Sequence, residues 1–171
     1  MQFKKYQQET LNALTQFLAY SQAEGPAKAF ARFNDGVPYR PLDGLPEAPY
    51  VCLRLPTGGG KTILAAKSIQ IVGETLLNRD FPFTLWMVTS DPIKQQTVEA
   101  LKNTRHPYRM MLDEAFNGAV RVFDIEDFAD IRPQDIAQNA CVVVSTIQSF
   151  RVKDTKGRSV YKHHEMMEPH F

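Results

Sequence analysis

Cysteine is scarce in this chain: Cys52 and Cys141 are the only two in 171 residues. Two thiols with no framework or metal-ligand spacing exclude a disulfide-stapled fold and a cysteine-based zinc site, and they fit a reducing, cytoplasmic setting. Both sit in apolar runs, where a cysteine is expected to act as a small buried hydrophobe. Long apolar runs are missing as well. No stretch approaches the ~18 apolar residues of a membrane span, and MQFKKYQQETLNAL has no apolar centre of the kind a secretory signal requires. No charge of one sign dominates: 20 Lys and Arg against 19 Asp and Glu leave a net +1. Overall basicity therefore gives no argument for nucleic-acid binding, although a local patch still could. Internal repeats are absent. What is present is an ordinary globular composition, 43% hydrophobic and 23% charged, at about the length of one domain with a substantial core.

The elements alternate. Leu11, Leu14 and Leu18, with Phe17 beside them, give a helix over 8–20. Residues 21–49 hold Gly25, Pro26, Gly36, Pro38, Pro41, Gly44, Pro46 and Pro49, a density of breakers that predicts an irregular connector with a short helix around Pro26–Phe33. A strand is expected at 50–55, then a Gly-rich turn and a helix over 63–77 with Ala65, Ile69, Val72 and Leu76 on one face. Strand 84–89 follows. Asp91 and Pro92 then open another helix, Asp as N-cap and Pro at the first helical position. Strands are expected at 119–123 and 141–145. Near-continuous apolar strands separated by helices imply an α/β fold with a mostly parallel sheet.

Function is written most densely in Leu-Pro-Thr-Gly-Gly-Gly-Lys-Thr, residues 55–62. Consecutive glycines let the backbone curl so that N–H groups converge on one anionic guest. The helix that follows adds the positive end of its dipole at the same place. Lys61 can then reach the outer phosphates of a nucleotide, and the Thr62 hydroxyl can ligate an accompanying magnesium ion. The usual pattern begins with glycine where this chain has Leu55. A strand before the turn and a helix after it are the context that separates a phosphate-binding loop from a flexible turn with an exposed lysine.

Further segments fall into a known order. Tyr6-Gln7 leads into the first helix; Pro56–Thr62 forms the loop; Ser90, Ile93 and Gln96 follow strand 84–89 at intervals of three; Val142-Val-Val-Ser-Thr-Ile-Gln-Ser149 closes the series. In this order the chain resembles the first RecA-like domain of superfamily 2 helicases and translocases, in the branch with the Res subunits of type III restriction enzymes and related DEAD/DEAH-type ATPases. The resemblance implies a three-layer P-loop domain, incomplete at its C-terminus, that binds ATP and Mg2+ and works on DNA, most readily a duplex, with a modification or specificity subunit as a further partner. It implies that Gln7 lies in a Q motif, where an amide that donates and accepts can read an adenine edge. It places Thr57, Gly58, Gly59, Gly60, Lys61 and Thr62 at the nucleotide, Lys61 and Thr62 serving the chemistry. It sets Ser90, Lys94, Gln96, Ser145 and Thr146 towards the nucleic-acid backbone. The implied organisation is a Q-motif helix over 1–20, an irregular insertion over 21–49, a P-loop core over 50–150 and a basic loop or tail over 151–171.

Other features have plainer readings. The branch needs an acidic D-E-x-[HD] motif after the Ser-Thr segment, to hold magnesium and activate water. Phe123-Asp-Ile-Glu-Asp127 precedes that segment, so Asp124 and Glu126 are read as surface or loop carboxylates. The chain is accordingly expected to be part of a larger protein and not to hydrolyse ATP alone. The acidic stretch Asp113–Asp135 reads as solvated surface; the basic stretch Arg151–His164 reads either as surface or as a loop along a nucleic-acid path. His163, His164, Glu165 and His170 read as a solvated tail, since adjacent histidines do not converge on one ion as an i, i+4 pair would. Two alternatives to the helicase reading stay open: another P-loop phosphotransferase of kinase type, and a non-catalytic P-loop fragment serving interaction.

Overall fold

The computed structural model describes residues 2–150. The basic stretch from Arg151 and the histidines at 163, 164 and 170 lie outside the described residues. The chain falls into two compact units, Met1–Arg79 and Asp80–Phe171.

The first unit is helical. Helix α1 spans Lys5–Glu24 and buries Gln7, Leu11, Leu14, Phe17, Leu18 and Ser21, the three-and-four spacing of a single stripe. It ends at Gly25, whose φ of 87° breaks the helical path, and Pro26 begins the short helix α2, Pro26–Ala31. Residues 32–49 are irregular but tied down. The Tyr39 hydroxyl donates to the Ala48 carbonyl at 3.3 Å and accepts from the Tyr50 N–H at 2.8 Å, while its ring packs on Phe30 with centroids 5.5 Å apart. Helix α3, Lys61–Val72, continues into a π-helical turn at Gly73–Leu77. The core of this unit gathers Leu14, Phe17, Leu18 and Ala29 with Val51, Leu53, Ile71, Val72 and Leu76.

Two details of this unit differ from the sequence reading. Residues 50–55 are extended but form no strand. Val51 and Leu53 turn into the helical core and the alternate Cys52 and Arg54 face out, so the apolar alternation is satisfied by helix packing without a ladder partner. Helix α3 buries Ile63, Leu64, Ala66 and Ile69, leaving Ala65 exposed.

The second unit is built on a parallel sheet of strands β1 (Phe83–Val88), β2 (Val120–Asp124) and β3 (Ala140–Thr146), in the spatial order β1-β3-β2. The register pairs Val88 with Thr146 and Asp124 with Val144, so all three strands end at the same side. Strand β3 is central and buried along its whole length, as the run Cys-Val-Val-Val requires. Strand β2 lies at an edge, which lets Arg121 stay exposed within it. Helices α4 (Asp91–Lys102), α5 (Pro107–Ala115) and α6 (Pro133–Gln138) complete the α/β arrangement, with α4 packed on all three strands and α6 on β3. Ile131 and Ile136 cover Cys141 and Val143, with Phe83, Phe123, Ile125 and Phe128 around them. Helix α4 starts one residue earlier than its sequence suggests: Ser90 occupies the N-cap and Asp91 is already helical, its carboxylate in the favourable first turn. No helix among the described residues is long and apolar enough to cross a membrane.

The two cysteines part company. Cys141 is fully buried in β3, and burial, with the Asp135 charge, pushes its thiol up to about 12 against a smaller opposing effect of Arg121. Cys52 is exposed, contrary to its apolar context, because it falls on the outward side of the extended 50–55 segment. A thiol reagent at neutral pH is expected to modify Cys52 alone in the native protein and both residues after denaturation, as counted by mass spectrometry. Rapid labelling of Cys141 in the native state would contradict its placement.

Candidate nucleotide-binding loop

The turn between Leu55 and Lys61 takes its shape from three glycines used for different reasons. Gly58 and Gly60 have φ of 75° and 81°, the left-handed region that side chains disfavour. Gly59 is required by close approach: its N–H donates to the Pro56 carbonyl at 3.0 Å, and a Cβ there would stand 2.9 Å from that same oxygen. Gly60 caps α3, and its carbonyl accepts from the Leu64 N–H at 3.1 Å as the first helical bond.

The N-terminal turn of α1 holds this loop. The Tyr6 hydroxyl and the Gln7 side-chain amide both donate to the Gly59 carbonyl, each at 3.1 Å. Gln7 is buried, and its Oε1 accepts from the Lys4 N–H at 2.9 Å, so one side chain closes the start of α1 and anchors the loop. A Cβ on Gly60 would lie 2.5 Å from Gln7 Nε2, so the amide packs directly on the loop. Lys61 is exposed and folds back, its ammonium donating to the Pro56 carbonyl at 3.0 Å. Thr62 is half-buried in the first turn of α3.

These features suit a phosphate group. Residues 58–60 carry no side chains, nothing lies within 4 Å of where a Gly58 Cβ would stand, and the Lys61 ammonium is tethered to the turn at Pro56. If nucleotide binds here, Lys61 would meet its outer phosphates and the Thr62 hydroxyl would hold the magnesium ion, which supplies charge neutralisation on the phosphate oxygens.

In the second unit the parallel register brings the segments after β1 and β3 side by side. Gln148 Nε2, just past β3, donates to the Thr89 carbonyl, just past β1, at 3.3 Å. Ser90 is half-buried at the α4 N-cap and Gln96 is exposed on α4. Ser145 and Thr146 are buried at the end of β3 and bonded internally: Ser145 Oγ donates to the Thr146 carbonyl at 3.3 Å, and Thr146 Oγ1 pairs with Ser149 Oγ at 3.0 Å.

Lys94 departs furthest from its expected place. It is 4% exposed, and its ammonium donates to Asp124 Oδ1 and Glu126 Oε1, both at 2.9 Å. Burial works to lower its pKa, but the hydrogen bonds and charges of Asp124 and Glu126 outweigh that and hold it above the ordinary lysine value. The pairing therefore contributes stability that is in place below the unfolded lysine pKa and is lost only as pH climbs past the raised folded one. The carboxylates divide between core and surface: the Asp124 side chain is 20% exposed and that of Glu126 80%. Neither the Tyr6 bond nor the Lys94 cluster left a short-range trace in the sequence. Tyr6 stands 53 positions from Gly59, and Lys94 stands 30 and 32 from its partners.

The family described as type III restriction enzyme, res subunit, matches residues 1–168. No curated protein and no solved structure matches the chain.

The Lys94 cluster sets an order of costs. Asp124→Asn is expected to destabilise the protein by about 1.5–3 kcal/mol, the range for a hydrogen bond to a charged group. Glu126→Gln, at an exposed partner, should cost at most about 1 kcal/mol. Urea denaturation of the two variants checks this; equal costs would mean that Lys94 is held by something other than Asp124.

Proposed function

The chain belongs to the type III restriction enzyme res-subunit family, and on that premise we propose that it forms the ATP-binding, helicase-like part of a DNA-processing enzyme. The observation that carries the proposal is the glycine turn at 58–60, open at Gly58 and running directly into Lys61 and Thr62 at the start of α3. Thr57, Gly58, Gly59 and Gly60 would surround the phosphates; Lys61 would exchange its bond to the Pro56 carbonyl for the β- and γ-phosphate oxygens; Thr62 would hold magnesium. Gln7 would contact the adenine. Lys4 and Gly59 use one acceptor site and one donor of its amide, and the remaining N–H and lone pair are the complement a base edge needs.

DNA is the proposed partner of the second unit. Ser90 and the exposed Gln96 offer hydrogen bonds near the strand ends, and binding should weaken as salt rises. Lys94 is not counted among the contacts, since its charge is engaged by Asp124 and Glu126. The same pairing supports assigning these two carboxylates a structural role, so that residues 1–171 bind ATP without hydrolysing it unaided.

Calorimetry with Mg·ATP tests the proposal. Lys61→Ala should lose about 1.5–3 kcal/mol of binding, roughly 10- to 150-fold, the loss of a charge-assisted hydrogen-bond set. Equal affinities for wild type and variant would refute the site. Robust, Lys61-dependent phosphate release by the 171-residue chain would instead give Asp124 or Glu126 a metal-binding role and overturn the structural assignment.

A further inference from the structure

We propose that Tyr6 is a positioning residue for the nucleotide-binding loop, acting through its hydroxyl on the Gly59 carbonyl. The inference rests on the reading of 56–62 as a phosphate site. It deepens that reading by naming what fixes the direction of the loop's central N–H.

The Gly59–Gly60 peptide is planar and trans, so its carbonyl and its N–H point in opposite directions. Whatever holds the Gly59 carbonyl therefore also aims the Gly60 N–H. Two donors hold it, Tyr6 Oη and Gln7 Nε2, each at 3.1 Å, and both belong to the first turn of α1. The carbonyl is thus drawn towards α1, and the Gly60 N–H is turned the opposite way, free of the helix. A flip of this peptide would cost little at a glycine pair, because neither residue has a Cβ to oppose it. It would replace a donor with a carbonyl oxygen on the side where an anion is to bind. The Gly59 N–H is already committed to Pro56 and the Gly60 carbonyl to Leu64, so neither bond of the turn holds the 59–60 peptide between them, and its orientation depends on a restraint from outside. Gln7 alone gives a single donor, and that amide also caps α1 through Lys4. The Tyr6 hydroxyl supplies the second donor. Tyr6 is exposed, at 37%, and Tyr6→Phe keeps the ring, so the variant removes the hydroxyl without deleting an apolar contact of α1.

The test is Tyr6→Phe in the full 171-residue chain, with two measurements. Without nucleotide, the backbone amide resonance of Gly60 is expected to shift or broaden and its hydrogen exchange to quicken, while the thermal midpoint falls by no more than a few degrees, as for one lost hydrogen bond. With ligand, affinities for inorganic pyrophosphate and for Mg·ADP are expected to fall by the same factor, about five- to tenfold, as for one lost hydrogen bond. A loss confined to ADP, with pyrophosphate unchanged, would show that Tyr6 serves the base and overturn the positioning role. Identical Gly60 signals in both proteins would overturn it as well. If wild type binds neither ligand, the phosphate-site reading fails, and the nucleotide-free comparison still decides whether Tyr6 orients the peptide.

Discussion

A run of three glycines has no intrinsic reason to hold one conformation, and the conformational entropy it gives up on ordering is the largest of any residue type. Here the restraint comes from the carbonyl of Gly59, which two donors of α1 hold from one side while the Pro56 carbonyl holds the Gly59 N–H from within the turn. The rest of the loop's shape follows from that fixation. Gly58 and Gly60 can stay in the left-handed region, Gly60 can cap α3, and Lys61 enters the helix at its first position with its ammonium over the turn. The stripe of α1 that buries Leu11, Leu14 and Leu18 also carries Gln7, so the packing that stabilises the helix delivers the amide to the loop.

The second unit solves a different problem, the alignment of loops at one end of a parallel sheet. Strand β3 in the centre fixes the register of both neighbours, and their ends come together at one side. Lys94 then ties α4 to the end of β2, where Asp124 and Glu126 leave the strand. Burying an ammonium is costly unless it is paired, and two carboxylate contacts meet that demand. The result fixes α4 against the sheet, with Ser90 at its N-cap and Gln96 exposed in its second turn.

Much of this was legible beforehand, for physical reasons that vary by element. Helix α1 announced itself through apolar spacing, and β3 through an unbroken apolar run that only a central strand tolerates. The loop was legible because its glycines answer local demands of backbone geometry. Local pattern could not say whether residues 50–55 would find a ladder partner; alternation fits equally an extended segment pressed on helices, and that is what Val51 and Leu53 do. That choice also exposed Cys52. Lys94, set towards the nucleic-acid backbone by the resemblance, is instead buried, and its carboxylate partners, 30 and 32 positions away, left no local sign of that. Asp124 and Glu126 were read as surface or loop carboxylates; Glu126 is exposed, but Asp124 closes β2 half-buried, held by a cation that its own neighbourhood in sequence does not contain.

The claim on which the rest depends is that residues 56–62 receive the phosphates of a nucleotide. Backbone amide chemical shifts followed through a titration with Mg·ATP test it residue by residue. The account expects the largest changes at Gly58, Gly59, Gly60, Lys61 and Thr62, with smaller ones at Tyr6 and Gln7. Saturation with no change in these amides, or changes centred on another part of the chain, would contradict it.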